Sequence, residues 1–388
     1  MTSYKPHFSR FIGAAPGRIH LAAHSHHYWP DVTFEAQQQA WLDAARMADG
    51  KWEHIFGTVW PKAQGHVARV LNLSDPATVV FAPSTHDFVL RLLSCLPPGR
   101  PPRVLTTDSE FHSFSRQMAR LEEDGLAVVE RVPARPFPTF AERFADAARG
   151  GHDLVFLSQV FFNSGYAVPD LGAIAAAVPD DALVAVDGYH GFLAVPTDLR
   201  ALEDRLFYIA GGYKYAMTGE GACFMHVPAR YGARPRNTGW YAAFGALASK
   251  QEGVPYAPGG ARFMGSTFDQ TALYRFNAVM DWLFGLGIGP AEILAHTRAL
   301  QERFVAALGE RPGMPLSADQ LLVPLEEANR GQFLTFETPL AGEFQERMRR
   351  ADLITDHRGD RLRFGFALYH DAEDIAAAVD RMARVLDG

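Results

Sequence analysis

Residues 206–228 read LFYIAGGYKYAMTGEGACFMHVP, and the place of one lysine in that stretch decides the fold. An apolar run, Leu206–Ala210, ends at two glycines, and Lys214 follows in the turn. A second apolar run, Ala222–Val227, comes next. Lysine is seldom buried without a partner. Lys214 therefore either sits on an exposed loop or has a chemical task. The task would be that of a Schiff-base amine, which desolvation keeps nucleophilic. Upstream, ALVAVDGYHGFLAVP at residues 182–196 ends five apolar residues at Asp187. The carboxyl end of a parallel strand is where open α/β sheets bind ligands. A carboxylate there would pair with a protonated ring nitrogen, or else cap a helix. His190 is either a turn histidine or a second polar contact to the same ligand.

Short apolar runs alternate with helical stretches on both sides of this core. Strands are expected over 78–81, 103–106, 127–132, 154–157, 183–186, 206–210 and 222–227. Helices are expected over 34–47 (ended by Gly50), from Pro61 to Leu71, and over 88–96, 115–123, 140–148 and 171–178. Such alternation predicts an α/β domain with a mainly parallel sheet. The last third changes character: helices over 271–286 and 293–308, strands over 333–335 and 361–366, and a closing helix over 372–386. The expected organisation is an irregular arm at 1–30, a large domain at 31–270 and a small α+β domain at 271–388. Residues 230–265, rich in Gly, Pro, Tyr and Arg, read as a long functional loop.

Composition narrows the function. The 388 residues carry 37 Lys and Arg against 44 Asp and Glu, a net charge of −7. That argues against a general nucleic-acid binder, which needs clustered cations. No apolar run approaches the roughly 20 residues of a membrane span. The first 18 residues lack a secretory apolar core, since Pro16 and Arg18 interrupt it. Only Cys95 and Cys223 occur, which excludes a disulfide framework and suits a cytoplasmic location. Cys223 reads as inert core. His24, His26 and His27 form HSHH without an acid or Cys at ligand spacing, so no metal site is expected.

An Asp after a buried strand, followed by a Lys in a G-x-K context between strands, resembles pyridoxal 5'-phosphate (PLP) enzymes of fold type I. The likeness extends to the class V aminotransferase superfamily, and within it to kynureninase. AAHSHHYWP near the start and RLRFGFALYHDAED near the end carry it across almost the whole chain. It implies an αβα large domain with a mostly parallel sheet and a small C-terminal α+β domain. It also implies residue roles. Lys214 matches the lysine that forms the Schiff base with PLP. Tyr213 matches a phosphate contact, Asp187 the partner of the pyridinium nitrogen, and His190 a polar neighbour of the ring oxygen. In DSEFHSFSRQ, Phe111 matches the aromatic residue stacked on the ring, with His112 as the neighbouring alternative. In FAPSTHDFVLRLL, Ser84 and Thr85 match the phosphate-binding turn, a geometry shared with a plain helix cap. Trp240 in TGWYAAF, with Ser266 and Thr267 in RFMGSTF, matches residues that reach the phosphate across a homodimer interface. Arg363 in RLRFGFALYHD matches the arginine that grips the substrate α-carboxylate; Arg358 and Arg361 lie close enough to compete for that role.

The implied function is a PLP-dependent enzyme acting on an amino acid through an external aldimine and a quinonoid. Kynureninase-like cleavage at Cβ is favoured, as a hydrolase or lyase. A class V aminotransferase is the alternative, and a degenerate PLP-fold binding protein is the alternative of another class. Residues 224–388 contain no cysteine, so a desulfurase that forms a persulfide on a C-terminal loop is not expected. The kynureninase turn Thr-Val-Asn-Leu-His reads Thr85-His86-Asp87-Phe88-Val89 here, which leaves the substrate open.

Overall fold

A computed structural model describes residues 2–246 and 252–386. The N-terminal segment is more ordered than an irregular arm. A 3-10 turn (Lys5–Phe8) leads into α1 (Ser9–Ala14), and β1 (Ile19–His20) follows. Then comes α2 (Val32–Met47). α2 ends at Met47, as expected, but the break is made by Ala48, whose φ is 50°, and not by Gly50. The Gly50 backbone is right-handed helical and leads into α3 (Lys51–His54), then a π turn and α4 (Trp60–Leu71).

The next segment alternates as expected: β2 (Val79–Ala82), α5 (Thr85–Cys95), β3 (Arg103–Thr107), α6 (His112–Glu123) and β4 (Val128–Val132). It continues with α7 (Phe140–Ala148), β5 (Leu154–Ser158), α8 (Leu171–Ala177), β6 (Leu183–Asp187), β7 (Phe207–Gly211) and β8 (Cys223–His226). Two helices start a turn earlier than their apolar spacing indicates, α5 at Thr85 and α6 at His112. The first turn of a helix borrows polar capping residues, which carry no apolar period.

The seven strands form one sheet in the order β2-β8-β7-β6-β5-β3-β4. All neighbours are parallel except β8, which runs antiparallel to β2 and β7. β5 and β7 are buried at every residue, because helices cover both faces. The stretch expected as a long loop holds 3-10 turns at Ala229–Tyr231, Trp240–Ala246 and Gly259–Phe263; residues 247–251 lie outside the described residues.

The C-terminal part contains α9 (Thr271–Gly285), α10 (Pro290–Gly309), β9 (Phe333–Glu337), α11 (Ala341–Arg350) and β10 (Leu353–Ile354). It ends with β11 (Asp356–Arg358), β12 (Arg361–Gly365) and α12 (Ala372–Leu386). β11, β12 and β9 form an antiparallel sheet. The apolar side chains fall into two large cores. Leu273, Phe276, Val279, Met280 and Leu283 of α9 belong to the first, with the seven-stranded sheet. The second begins at Leu300 of α10 and recruits Ile19 and Leu21 from the N-terminal segment. That segment also adds β1 to β10 in parallel register. Packing thus carries α9 across the break expected at residue 270 and ties the arm to both cores. Among the described residues, no single helix is long and apolar enough to cross a membrane.

Candidate active site

The carboxyl ends of β5, β6 and β7 open on a cleft of about 240 Å³. Its walls include Ser84, Thr85, Phe111, Asp187, His190, Tyr213 and Lys214, so the tertiary structure brings these seven candidates together. Ser84 caps α5, its Oγ accepting from the Asp87 N–H at 3.3 Å. α5 therefore directs its amino terminus at the cleft, which favours an anion there. Phe111 lies just before α6 and turns into the cleft, while His112 is not part of its wall.

Lys214 is the one lysine buried among the described residues. Its Nζ lies 3.0 Å from His190 Nε2 and 5.1 Å from the centre of the Phe111 ring. Burial pulls its pKa down to about 7, and Asp187 only partly restores it. A large share of the amine is thus unprotonated near neutral pH. His190 is held neutral, chiefly by burial and next by the charge of Lys214. Burial also raises the Asp187 carboxyl, against the stabilising Tyr189 N–H, which donates at 2.9 Å. Tight packing sets this geometry. A Cβ at Gly211 would overlap the Tyr189 hydroxyl, and one at Gly188 would overlap the Tyr208 ring. Glycine at both positions lets the strand ends approach the tyrosines.

The other candidates lie elsewhere. Trp240, Ser266 and Thr267 are exposed, and none lines this cleft. Trp240 Nε1 donates to Thr267 Oγ1 at 3.2 Å. Arg363 is buried behind the wall, its Cζ 5.9 Å from the centre of the Phe162 ring. Arg361 is half-buried and Arg358 exposed. The core-facing arginine of β12 already has its anion, the Asp356 carboxylate on β11. The three histidines of HSHH diverge: His24 stacks on Phe333, His26 on Tyr213, and His27 meets Tyr215 edge-on. Among the described residues, no group of three or more His, Cys, Asp or Glu is placed to hold a metal ion.

Sequence reasoning missed three neighbours. Glu110, directly before Phe111, accepts from Ser158 Oγ at 2.6 Å, the Ser158 N–H and Thr107 Oγ1. Burial still pushes its carboxyl up to about 7. Phe162 and His86 are also part of the wall. None stands out in the sequence, although Glu110 adjoins a residue that does. Cys223 is buried in the first core, as expected, and also borders the cleft. Burial raises its pKa to about 12, so it stays a thiol.

The donor and acceptor inventory fits PLP. His190 Nδ1 and His86 Nδ1 are buried without partners among the described residues, and both residues line the cleft. Asp187 Oδ1 accepts from the Tyr189 N–H, and the residue also forms part of the cleft wall.

The description "Aminotransferase class-V" matches residues 44–337, well over half of the chain. The chain belongs to the class-V aminotransferase family. It is a PLP-dependent enzyme of that family. "Kynureninase C-terminal domain" matches residues 293–382. Solved structures share the fold type I architecture. A mutant of C-DES with glycine covalently linked to the PLP cofactor superposes with a TM-score of 0.82 at 17% identity, covering 99% of this chain and 100% of that one. The complex of the cystine C-S lyase C-DES with its product cysteine persulfide gives 0.81 at 17% identity, covering 96% and 99%. Apo cysteine desulfurase from Thermococcus onnurineus NA1 gives 0.81 at 15% identity, covering 99% and 98%. No curated protein matches.

Proposed function

We propose that this class-V enzyme acts on an amino acid and breaks a bond at Cβ, as a hydrolase or lyase of the kynureninase kind. The observation that carries the reading is Lys214, buried and nearly neutral at the floor of a cleft, 3.0 Å from His190. PLP supplies an electron sink for negative charge at Cα when it is bound there. Lys214 would hold the cofactor, and its amine, with a pKa near neutrality, would be suited to taking up and returning a proton. Asp187 keeps the ring nitrogen protonated through its opposite charge. Phe111, in the cleft wall, would stack on the ring and exclude water. Ser84 and Thr85 at the start of α5 hold the phosphate, and Tyr213 and His190 add polar contacts. Arg363 takes the substrate carboxylate.

Two comparisons support cleavage over transfer. The kynureninase C-terminal description covers the segment that contains Arg363, and a neighbour in fold is named as a C-S lyase. A persulfide on a cysteine within residues 224–388 is not available, since that stretch has none. The exposed Trp240, Ser266 and Thr267 belong to a homodimer interface in this reading and complete the phosphate site of a second copy. A screen of amino acids with and without 2-oxo acids tests the reaction class. Alanine released without any 2-oxo acid acceptor is the expected product. Amino transfer to a 2-oxo acid with no Cβ cleavage would overturn the reading.

A further inference from the structure

The guanidinium assigned to the substrate carboxylate is already engaged. β11 and β12 set Asp356 directly opposite Arg363. Arg363 Nη2 donates to Asp356 Oδ2, and Nη1 donates to the Phe162 carbonyl. Arg363 Nε is buried and has no partner among the described residues. Asp356 also meets a second cation, with Arg358 Nη1 2.5 Å from Oδ1. His24 Nε2 stands 3.7 Å from Oδ2. His24 is fully buried, and burial takes its pKa down to about 3, so it adds no charge.

The cluster therefore sums to one positive charge: two guanidinium groups, one carboxylate and one neutral imidazole, +2 − 1 = +1. One incoming carboxylate brings it to zero. A dianion would leave an unpaired negative charge beside the buried Arg363, which is costly. Without Asp356 the sum would be +2, the complement of a dianion. We propose that Asp356 is a specificity-determining residue that limits this subsite to a single negative charge. The site then selects a carboxylate and turns away a phosphonate-like dianion at the same position. Asp356 acts through Arg363 and Arg358 and not by touching reacting atoms. Discrimination of this kind rests on an unfavourable element built against the wrong ligand. The inference rests on the assignment of Arg363 to the substrate carboxylate.

Two probes differing only in the acid group test it: alanine and 1-aminoethylphosphonate, titrated calorimetrically into the PLP-loaded enzyme above the second phosphonic ionisation. The wild type should bind alanine more tightly by roughly tenfold or more. Asp356→Asn should move the ratio toward the phosphonate by at least about tenfold. Asp356→Ser should move it the same way, in case the amide disturbs the strand pair. A wild type that binds the phosphonate as tightly as alanine, or that binds no alanine, would overturn the proposal without any variant. Arg363→Ala separates the two assignments. Loss of both probes there, with an unchanged ratio in Asp356→Asn, removes this proposal alone. Unchanged binding of both probes in Arg363→Ala removes the arginine assignment and the proposal together.

Discussion

Lys214 Nζ and His190 Nε2 lie 3.0 Å apart, inside a wall where both side chains are buried. A charged ammonium in that place suffers desolvation with only Asp187 to offset it. A neutral imidazole beside it can accept a proton in a hydrogen bond without adding repulsion. The pair thus keeps the amine nucleophilic, which is what covalent capture of an aldehyde needs.

Borohydride reduction of the PLP-loaded enzyme, followed by peptide mapping, should place a pyridoxyl group on Lys214. Lys214→Ala should still take up PLP, reversibly, and lose turnover by on the order of 10²–10⁴-fold or more. A label on any other lysine would end the assignment.

Arg363→Ala should lower kcat/KM by roughly two to four decades, the equivalent of about 3–5 kcal/mol for breaking a buried charge pair. Covalent cofactor capture should persist, because Arg363 stands behind Phe162 and not against Lys214. Arg363→Lys should recover only part, since an ammonium cannot reproduce the planar fork. Arg361→Ala, on a half-buried neighbour, is the control. Damage from Arg361→Ala with a mild effect of Arg363→Ala would show that the carboxylate contact was assigned to the wrong arginine.

Light scattering of the active enzyme should report a homodimer. Trp240, 43% exposed in one copy, should become protected from solvent quenching in that dimer. Trp240→Ala should weaken both association and PLP retention. A fully active monomer would refute the shared-site reading and leave Lys214 untouched.

Stability should fall in mild acid. Burial holds His20 near 4, and His24 and His27 near 3, against about 6.5 in the unfolded chain. Below about 6.5 the unfolded chain binds more protons than the folded one, so stability decreases as pH drops. Each histidine contributes up to about 1.4 kcal/mol per pH unit in that window. Glu110, raised to about 7, runs the other way and offsets one of the three while pH lies above its unfolded value. Urea unfolding across this range should therefore show net proton uptake, and His27→Gln should flatten the slope by about one proton. A pH-independent midpoint would contradict the buried, neutral histidines.

Much of the site is written in local chemistry. Asp187 ends a run of five apolar residues, and Lys214 sits between two such runs; a strand buried on both faces must read that way. The structure sets both at strand ends facing one cleft. The helix starts at Thr85 and His112 were less legible, because capping residues break the apolar period. Glu110 escaped notice for a related reason. A buried carboxyl is compatible with the fold only through Ser158 and Thr107, and Ser158 lies on another strand.

By itself, then, the sequence determined the strand–helix alternation, the lysine and its aspartate, and a group of arginines near the end, of which the structure buries Arg363 alone. These depend on hydrophobic periodicity and on side-chain chemistry, both of which are local. Only the tertiary structure decided that α9 joins the first core, that the first thirty residues tie both cores together, and that Arg363 meets Asp356. Those outcomes depend on which surfaces meet. Residues 356 and 363 are opposite one another because an antiparallel ladder places them there, and the charge of the pair is a property of that contact and of neither residue alone.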